Sequence, residues 1–249
     1  MKSFGADCFR VNLSHAIEDD LDSFNELFTD SNIIPNLDLQ GAQLRASATT
    51  EEAINIGTKV KIVSDEFNKS NYSSSLITLF INHWEEFYLA AEIGTEIRID
   101  FDGLVIKVED RGSNFIIGHS TSSGSVLANR GVDLLNSEIK LDPLTRFDYY
   151  SLNHQIGIQS EYIFMSFTNR AKDILELKKI SGAKTKLVAK IETRLGLKNI
   201  VEICKVADAL LVDRGDLSRE ISISNIPMAV TSIINLGNKY GIPVYVATN

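Results

Sequence analysis

From residue 162 onward, short apolar runs alternate with amphipathic stretches of helical period, the signature of βαβ units and a parallel sheet. The pattern predicts strands over Tyr162–Met165, Lys186–Ile191, 209–212 and Val244–Ala247. It predicts helices over Ala171–Ile180, 198–206 and 228–240. Upstream, 8–12 and 33–38 read as two more strands around a helix over 18–28. Between Arg45 and about Leu141 the rhythm changes to alternating strands and turns, for example 96–100 and 104–108 across Phe101-Asp102-Gly103. The expected architecture is therefore α/β: β/α units of the kind that build a barrel, in two parts, 1–45 and 142–249, interrupted by an inserted β-rich domain over 46–141.

Polar residues stand where the apolar runs end: Ser166, Lys190 with Glu192, Asp216 and Thr248. In a β/α barrel the loops leaving the C-terminal strand ends build the active site, so these residues are expected to share one rim. Lys190 and Glu192 are two apart on a strand, and their side chains project to the same face. By themselves they fit either a structural salt bridge or a pocket holding a cation beside a carboxylate. Asp216 shifts that balance, because it follows a buried strand through Arg214-Gly215, where glycine lets the backbone approach a ligand. Two carboxylates with no histidine or cysteine nearby suit magnesium or manganese, hard ions that prefer oxygen ligands.

Composition narrows the setting. The 249 residues are 44% hydrophobic and carry a net charge of −8, with no basic block, so the sequence predicts neither a nucleic-acid footprint nor a basic membrane face. An anion bound here must be gripped locally. Cys8 and Cys204 lack metal-ligand spacing and read as reduced, partly buried thiols of a cytoplasmic protein.

Several segments, in order, resemble the pyruvate kinase family. They are Leu187-Val188-Ala189-Lys190-Ile191-Glu192, then Ala209-Leu210-Leu211-Val212-Asp213-Arg214-Gly215-Asp216-Leu217, then Pro243-Val244-Tyr245-Val246-Ala247-Thr248. Arg10-Val11-Asn12-Leu13-Ser14-His15 is similar to that family's R-x-N-[FL]-S-H strand end. Asp38 to Arg45 is similar to its D-T-K-G-P-E-I-R segment, and Arg130-Gly131-Val132-Asp133-Leu134 to its exit from the inserted domain. The resemblance implies transfer of a phosphoryl group from phosphoenolpyruvate to ADP, giving pyruvate and ATP. It implies Mg2+ or Mn2+ on Glu192 and Asp216, with Lys190 and Arg10 at the moving phosphoryl group. Asn12, Ser14, Asp38 and the Leu39 carbonyl would be potassium ligands, and the Gly215 and Asp216 amides would hold the substrate carboxylate. Thr248 would lie near the site of enolate protonation and Ser166 would line the pocket. His15, Arg45 and Arg130 match positions near the nucleotide phosphates, although His15 alone also reads as a capping or packed histidine.

The departures from the family pattern are Leu39 for threonine, Gln40 for lysine, Gln43 for glutamate and Asp213 for the alanine before Arg-Gly-Asp. Asp213 would set an extra carboxylate beside bound phosphate, or serve in proton transfer. It opens two alternatives: a metal-dependent pyruvate aldolase or lyase on the same barrel, and a catalytically silent metabolite-binding relative. The resemblance further implies a TIM-type (β/α)8 barrel that is incomplete here, its first and last strands and a C-terminal domain lying outside this sequence. Were the chain complete without them, two exposed sheet edges would predict low solubility or a homo-oligomer.

Overall fold

The computed structural model describes residues 5–6, 8–49, 52–67, 74–100, 103–126, 129–135 and 139–247. In chain order the first elements are β1 (Phe9–Asn12), α1 (Asp20–Asp30) and β2 (Pro35–Asp38). There follow β3 (Leu44–Ala48), β4 (Glu52–Ile54), β5 (Lys59–Ser64), β6 (Ile77–Ile81), α2 (Trp84–Ala90), β7 (Glu96–Ile99), β8 (Leu104–Gly112), β9 (Phe115–Ser120), β10 (Gly124–Val126) and β11 (Arg130–Leu135). The last third contains α3 (Arg146–Asn153), α4 (Gln155–Gln159), β12 (Tyr162–Met165), α5 (Ala171–Ile180), β13 (Lys186–Ile191), α6 (Arg194–Lys198), α7 (Ile200–Cys204), β14 (Ala209–Asp213), α8 (Arg214–Glu220), α9 (Ile226–Tyr240) and β15 (Val244–Ala247).

The chain divides into two compact units, one of residues 1–42 with 142–249 and the other of residues 43–141. Gln43, Leu44 and Arg45, grouped by sequence with the first barrel segment, belong to the second unit. The reason is that β3 pairs with β11 and β6 there. That unit is a closed seven-stranded barrel, ordered β11-β3-β6-β5-β9-β8-β7, with β4 and β10 as a separate antiparallel pair. Its interior is apolar, with Val60, Ile62, Leu79, Ile97, Ile106 and Ile116 all fully buried.

The first unit holds six parallel strands in the order β1-β2-β12-β13-β14-β15. Among the described residues β1 and β15 each pair on one side only, so the closed ring in this chain is the seven-stranded one rather than an eight-stranded β/α barrel. Strand alternation gives the six-stranded sheet two unlike faces. Val11, Leu37, Ile163, Met165, Leu187, Ala189, Ile191, Leu210 and Val212 pack with helix residues such as Ile174, Leu177, Ile203 and Ile233 into the main core. The other face carries a small apolar layer of Phe164, Val188, Ala209 and Leu211, with Asp38 and Lys190 beside it. Polar side chains are thereby carried on the face away from the helices.

Two local differences from the sequence pattern have simple causes. The helix expected over 198–206 is instead α6 and α7, broken at Asn199, whose φ of −100° and ψ of 10° leave the helical region. Cys8 is exposed and accepts from Asn36 Nδ2 at 3.3 Å, whereas Cys204 is buried in the main core. Among the described residues no helix is long and apolar enough to cross a membrane.

Candidate active site

The site is built on the ends of adjacent strands. Lys190 belongs to β13, and its Nζ lies 2.8 Å from Glu192 Oε1, 3.2 Å from Asp38 Oδ1 at the end of β2, and donates to Ser166 Oγ at 2.9 Å. Ser166, just past β12, in turn donates to Asp38 Oδ1 at 3.2 Å. Three neighbouring strands thus converge on one ammonium group. All four residues are buried, the Lys190 side chain being 8% exposed and that of Glu192 0%. Arg10 extends the network from β1: its Nη1 is 3.1 Å from Asp38 Oδ2, and its guanidinium stands 5.3 Å from the centre of the Phe164 ring.

Burial in such a place penalises charge, and the network answers that penalty unevenly. For Lys190, burial alone would lower the pKa, but Glu192 and Asp38, with a further contribution from Asp213, raise it above the ordinary lysine value. The group stays cationic. For Glu192, burial pushes the carboxyl up to about 7; Lys190 opposes the rise and Asp216 adds to it. The Phe167 amide, which donates to Glu192 Oε2 at 2.6 Å, also favours the ionised form. Phe167 has a φ of +51°, a left-handed conformation costing on the order of 1–3 kcal/mol for a residue of this type. That bend aims its amide at the carboxylate.

One contributor escaped the sequence analysis. Asp148, fully buried in the first turn of α3, accepts from the backbone amides of Gln40 at 2.7 Å, Gly41 at 3.0 Å and Thr145 at 2.9 Å. It fixes the turn leaving β2, and Gly41 in that turn packs so closely on Ser166 that an added Cβ would meet the Ser166 carbonyl oxygen at 2.4 Å. Gln40 is held on its side-chain oxygen by the Thr145 hydroxyl at 3.0 Å and donates to the Leu13 carbonyl at 3.1 Å. The available signal was the Thr145-to-Asp148 capping box, which by itself announces only a helix start.

Asp216 lies in the first turn of α8, and its carboxylate groups with those of Glu192 and Asp213, with one oxygen of each within 4.8 Å of the others. This donor set fits a hard divalent cation. The buried Glu192 carboxyl held near neutrality is the group such a cation would ionise.

The other sequence candidates fall as follows. Asn12 Oδ1 accepts from the Ser14 amide at 3.0 Å, and His15 ends the same short 3-10 turn, exposed. Leu39 is fully buried, with its amide donating to the Phe164 carbonyl at 2.9 Å. Asp38, expected beside potassium, is engaged by Arg10 and Lys190. The Gly215 amide donates to Asp213 Oδ1 at 3.2 Å. Arg45 and Arg130 stand in the other unit on the paired strands β3 and β11. There Arg45 Nη1 donates to the Asn129 carbonyl at 3.2 Å and Arg130 pairs with Asp100 at 2.8 Å. Thr248 lies outside the described residues.

Fold and site together define an α/β protein with a buried lysine set among strand-end carboxylates. The model of the family described as pyruvate kinase, barrel domain, matches residues 1–249, and the chain belongs to the pyruvate kinase family. It is similar to the pyruvate kinase of Methanocaldococcus jannaschii, 31% identical over 247 residues that cover 97% of this chain and 52% of that protein. It is also similar to the pyruvate kinase of Lactobacillus delbrueckii subsp. bulgaricus, 29% identical over 261 residues covering 98% and 43%. The chain spans about half the length of these curated relatives.

Proposed function

We propose that the chain performs the glycolytic pyruvate kinase reaction, phosphoenolpyruvate and ADP to pyruvate and ATP, on an arc of a (β/α)8-type barrel. The observation that carries this reading is the buried Lys190 ammonium placed 2.8 Å from Glu192, with the Asp216 carboxylate grouped beside Glu192. Phosphoryl transfer spreads negative charge over equatorial oxygens, so fixed cations matter more than a covalent nucleophile.

Glu192 and Asp216 would hold Mg2+ or Mn2+, which when bound supplies Lewis-acid charge stabilisation. Lys190, kept cationic by its carboxylate neighbours, meets the transferring group, and Arg10 adds a second positive charge from β1. Ser166 orients Lys190, and the amides of Gly215 and Asp216 receive the substrate carboxylate, the Gly215 amide giving up its bond to Asp213 Oδ1 to do so. Thr248 is assigned the neighbourhood of enolate protonation. Asn12, Ser14, Asp38 and Leu39 are assigned to potassium, and His15, Arg45 and Arg130 to the nucleotide phosphates, with residues 46–141 as the inserted lid domain. The proposed setting is cytoplasmic, without nucleic acid or membrane partners, and homo-oligomeric.

Asp213 beside the site favours a second reading, a metal-dependent aldolase or lyase that stabilises the same pyruvate enolate without nucleotide. An assay coupling ATP formation to phosphoenolpyruvate and ADP, with magnesium and with or without potassium, separates the two. ATP formation supports the kinase. Detritiation of labelled pyruvate without ATP formation replaces it with the second reading, and absence of both leaves a metabolite-binding relative.

A further inference from the structure

We propose that Asp213 is a third carboxylate ligand of the divalent cation, in addition to Glu192 and Asp216; the inference rests on the cation site proposed above. Ile191 faces Val212 in the register of β13 and β14, so Glu192 and Asp213 stand one step beyond, side by side at the ends of neighbouring strands. Asp216 approaches from the first turn of α8, and oxygens of all three lie within 4.8 Å of one another. The Gly215 amide, donating to Asp213 Oδ1 at 3.2 Å, fixes the direction of the Asp213 carboxylate.

A group of acids needs a reason to be together. Here the Glu192 side chain, with no exposure, has Lys190 Nζ at 2.8 Å from Oε1 and the Phe167 amide at 2.6 Å from Oε2, with Asp213 and Asp216 grouped beside it. Lys190 is also shared with Asp38 and Ser166. Lys190, and Arg219 with its Nη1 3.8 Å from Asp216 Oδ1, face these three carboxylates, so acids outnumber bases where a divalent cation would sit. A third protein oxygen also fills a coordination position otherwise open to substrate or water. The site should then bind its cation firmly before any substrate arrives, and a substrate anion should meet a less positive centre.

The test is Mn2+ titration of the purified protein, free ion being read by electron paramagnetic resonance, for the wild type, Asp213→Ala, Asp213→Asn and Glu192→Gln. Asp213→Asn keeps an oxygen that can accept from the Gly215 amide while losing the charge, so it separates a ligand from a helix cap. Loss of an outer-shell partner weakens metal sites by about 10–100-fold, so loss of a direct ligand should exceed it: both Asp213 variants should bind Mn2+ more than about 100-fold more weakly than wild type, and a smaller loss would make Asp213 an outer-shell residue and overturn the assignment. Wild-type affinity in Asp213→Asn, with binding lost in Glu192→Gln, would overturn the assignment of Asp213 and leave the cation site standing. Equal Mn2+ binding by wild type and Glu192→Gln would instead remove the cation site itself, and Asp213 with it.

Discussion

Replacing Lys190 by methionine keeps most of the side-chain volume and deletes one charge. In the folded protein that charge lies 2.8 Å from Glu192 and 3.2 Å from Asp38, carboxylates that are 0% and 1% exposed. Removing one partner from a buried ion network leaves its counter-ions uncompensated, which costs about 3–5 kcal/mol. For a chain of this size each kcal/mol moves the melting temperature by about 2–4 °C, so Lys190→Met should melt roughly 10 °C below wild type at pH 8 in EDTA. The deficit should shrink at pH 5.5, where Glu192, already held up to about 7, takes a proton and ceases to be an unpaired anion. Adding Glu192→Gln to Lys190→Met should recover part of the loss at pH 8 for the same reason. In the coupled ATP assay the single variant should fall by about 10²–10³-fold, the usual effect of losing one preorganised charge contact. A Lys190→Met protein within about 1 kcal/mol of wild type at pH 8, with no dependence on pH, would show that the lysine is solvated rather than locked between carboxylates and would refute this account.

Other perturbations have equally definite expectations. Because the folded pKa of Glu192 is raised from 4.5 to about 7, its contribution to stability is fully present below about pH 4.5 and is lost as pH rises through 7. Denaturant melts of the metal-free protein should show a loss on the order of 3 kcal/mol across that window, and saturating Mg2+ should reduce it; a rise with pH would reverse the assigned shift. Asp148→Ala strands three backbone amides and should cost about 3 kcal/mol or more in urea unfolding, with Asp148→Asn intermediate because it keeps one acceptor oxygen. Gly41→Ala combines a φ of +70° with a Cβ 2.4 Å from the Ser166 carbonyl oxygen and should lose about 2 kcal/mol or more by thermal melting. An unperturbed Gly41→Ala protein would mean that the β2 turn does not press on Ser166.

The strand pattern from Tyr162 to Ala247 was legible because hydrophobic period is a local property, and β12, α5, β13 and β15 fall on the segments it marks. The Lys190–Glu192 contact was legible for a related reason, since residues two apart on a strand must share a face whatever the rest of the chain does. What neighbours that pair from distant sequence was not. Asp38 reaches Lys190 only because β2 lies beside β12, and Asp148 reaches Gln40 and Gly41 across more than 100 residues of chain. The boundary near Arg45 was likewise decided by pairing, because β3 completes a barrel whose partner strands come much later. The sequence alone determined element type and the residue classes available for chemistry, which depend on spacing along the backbone. Tertiary structure decided which carboxylates Lys190 serves and that Asp213 joins Glu192 and Asp216, because burial and charge compensation depend on groups that only folding brings within a few ångströms.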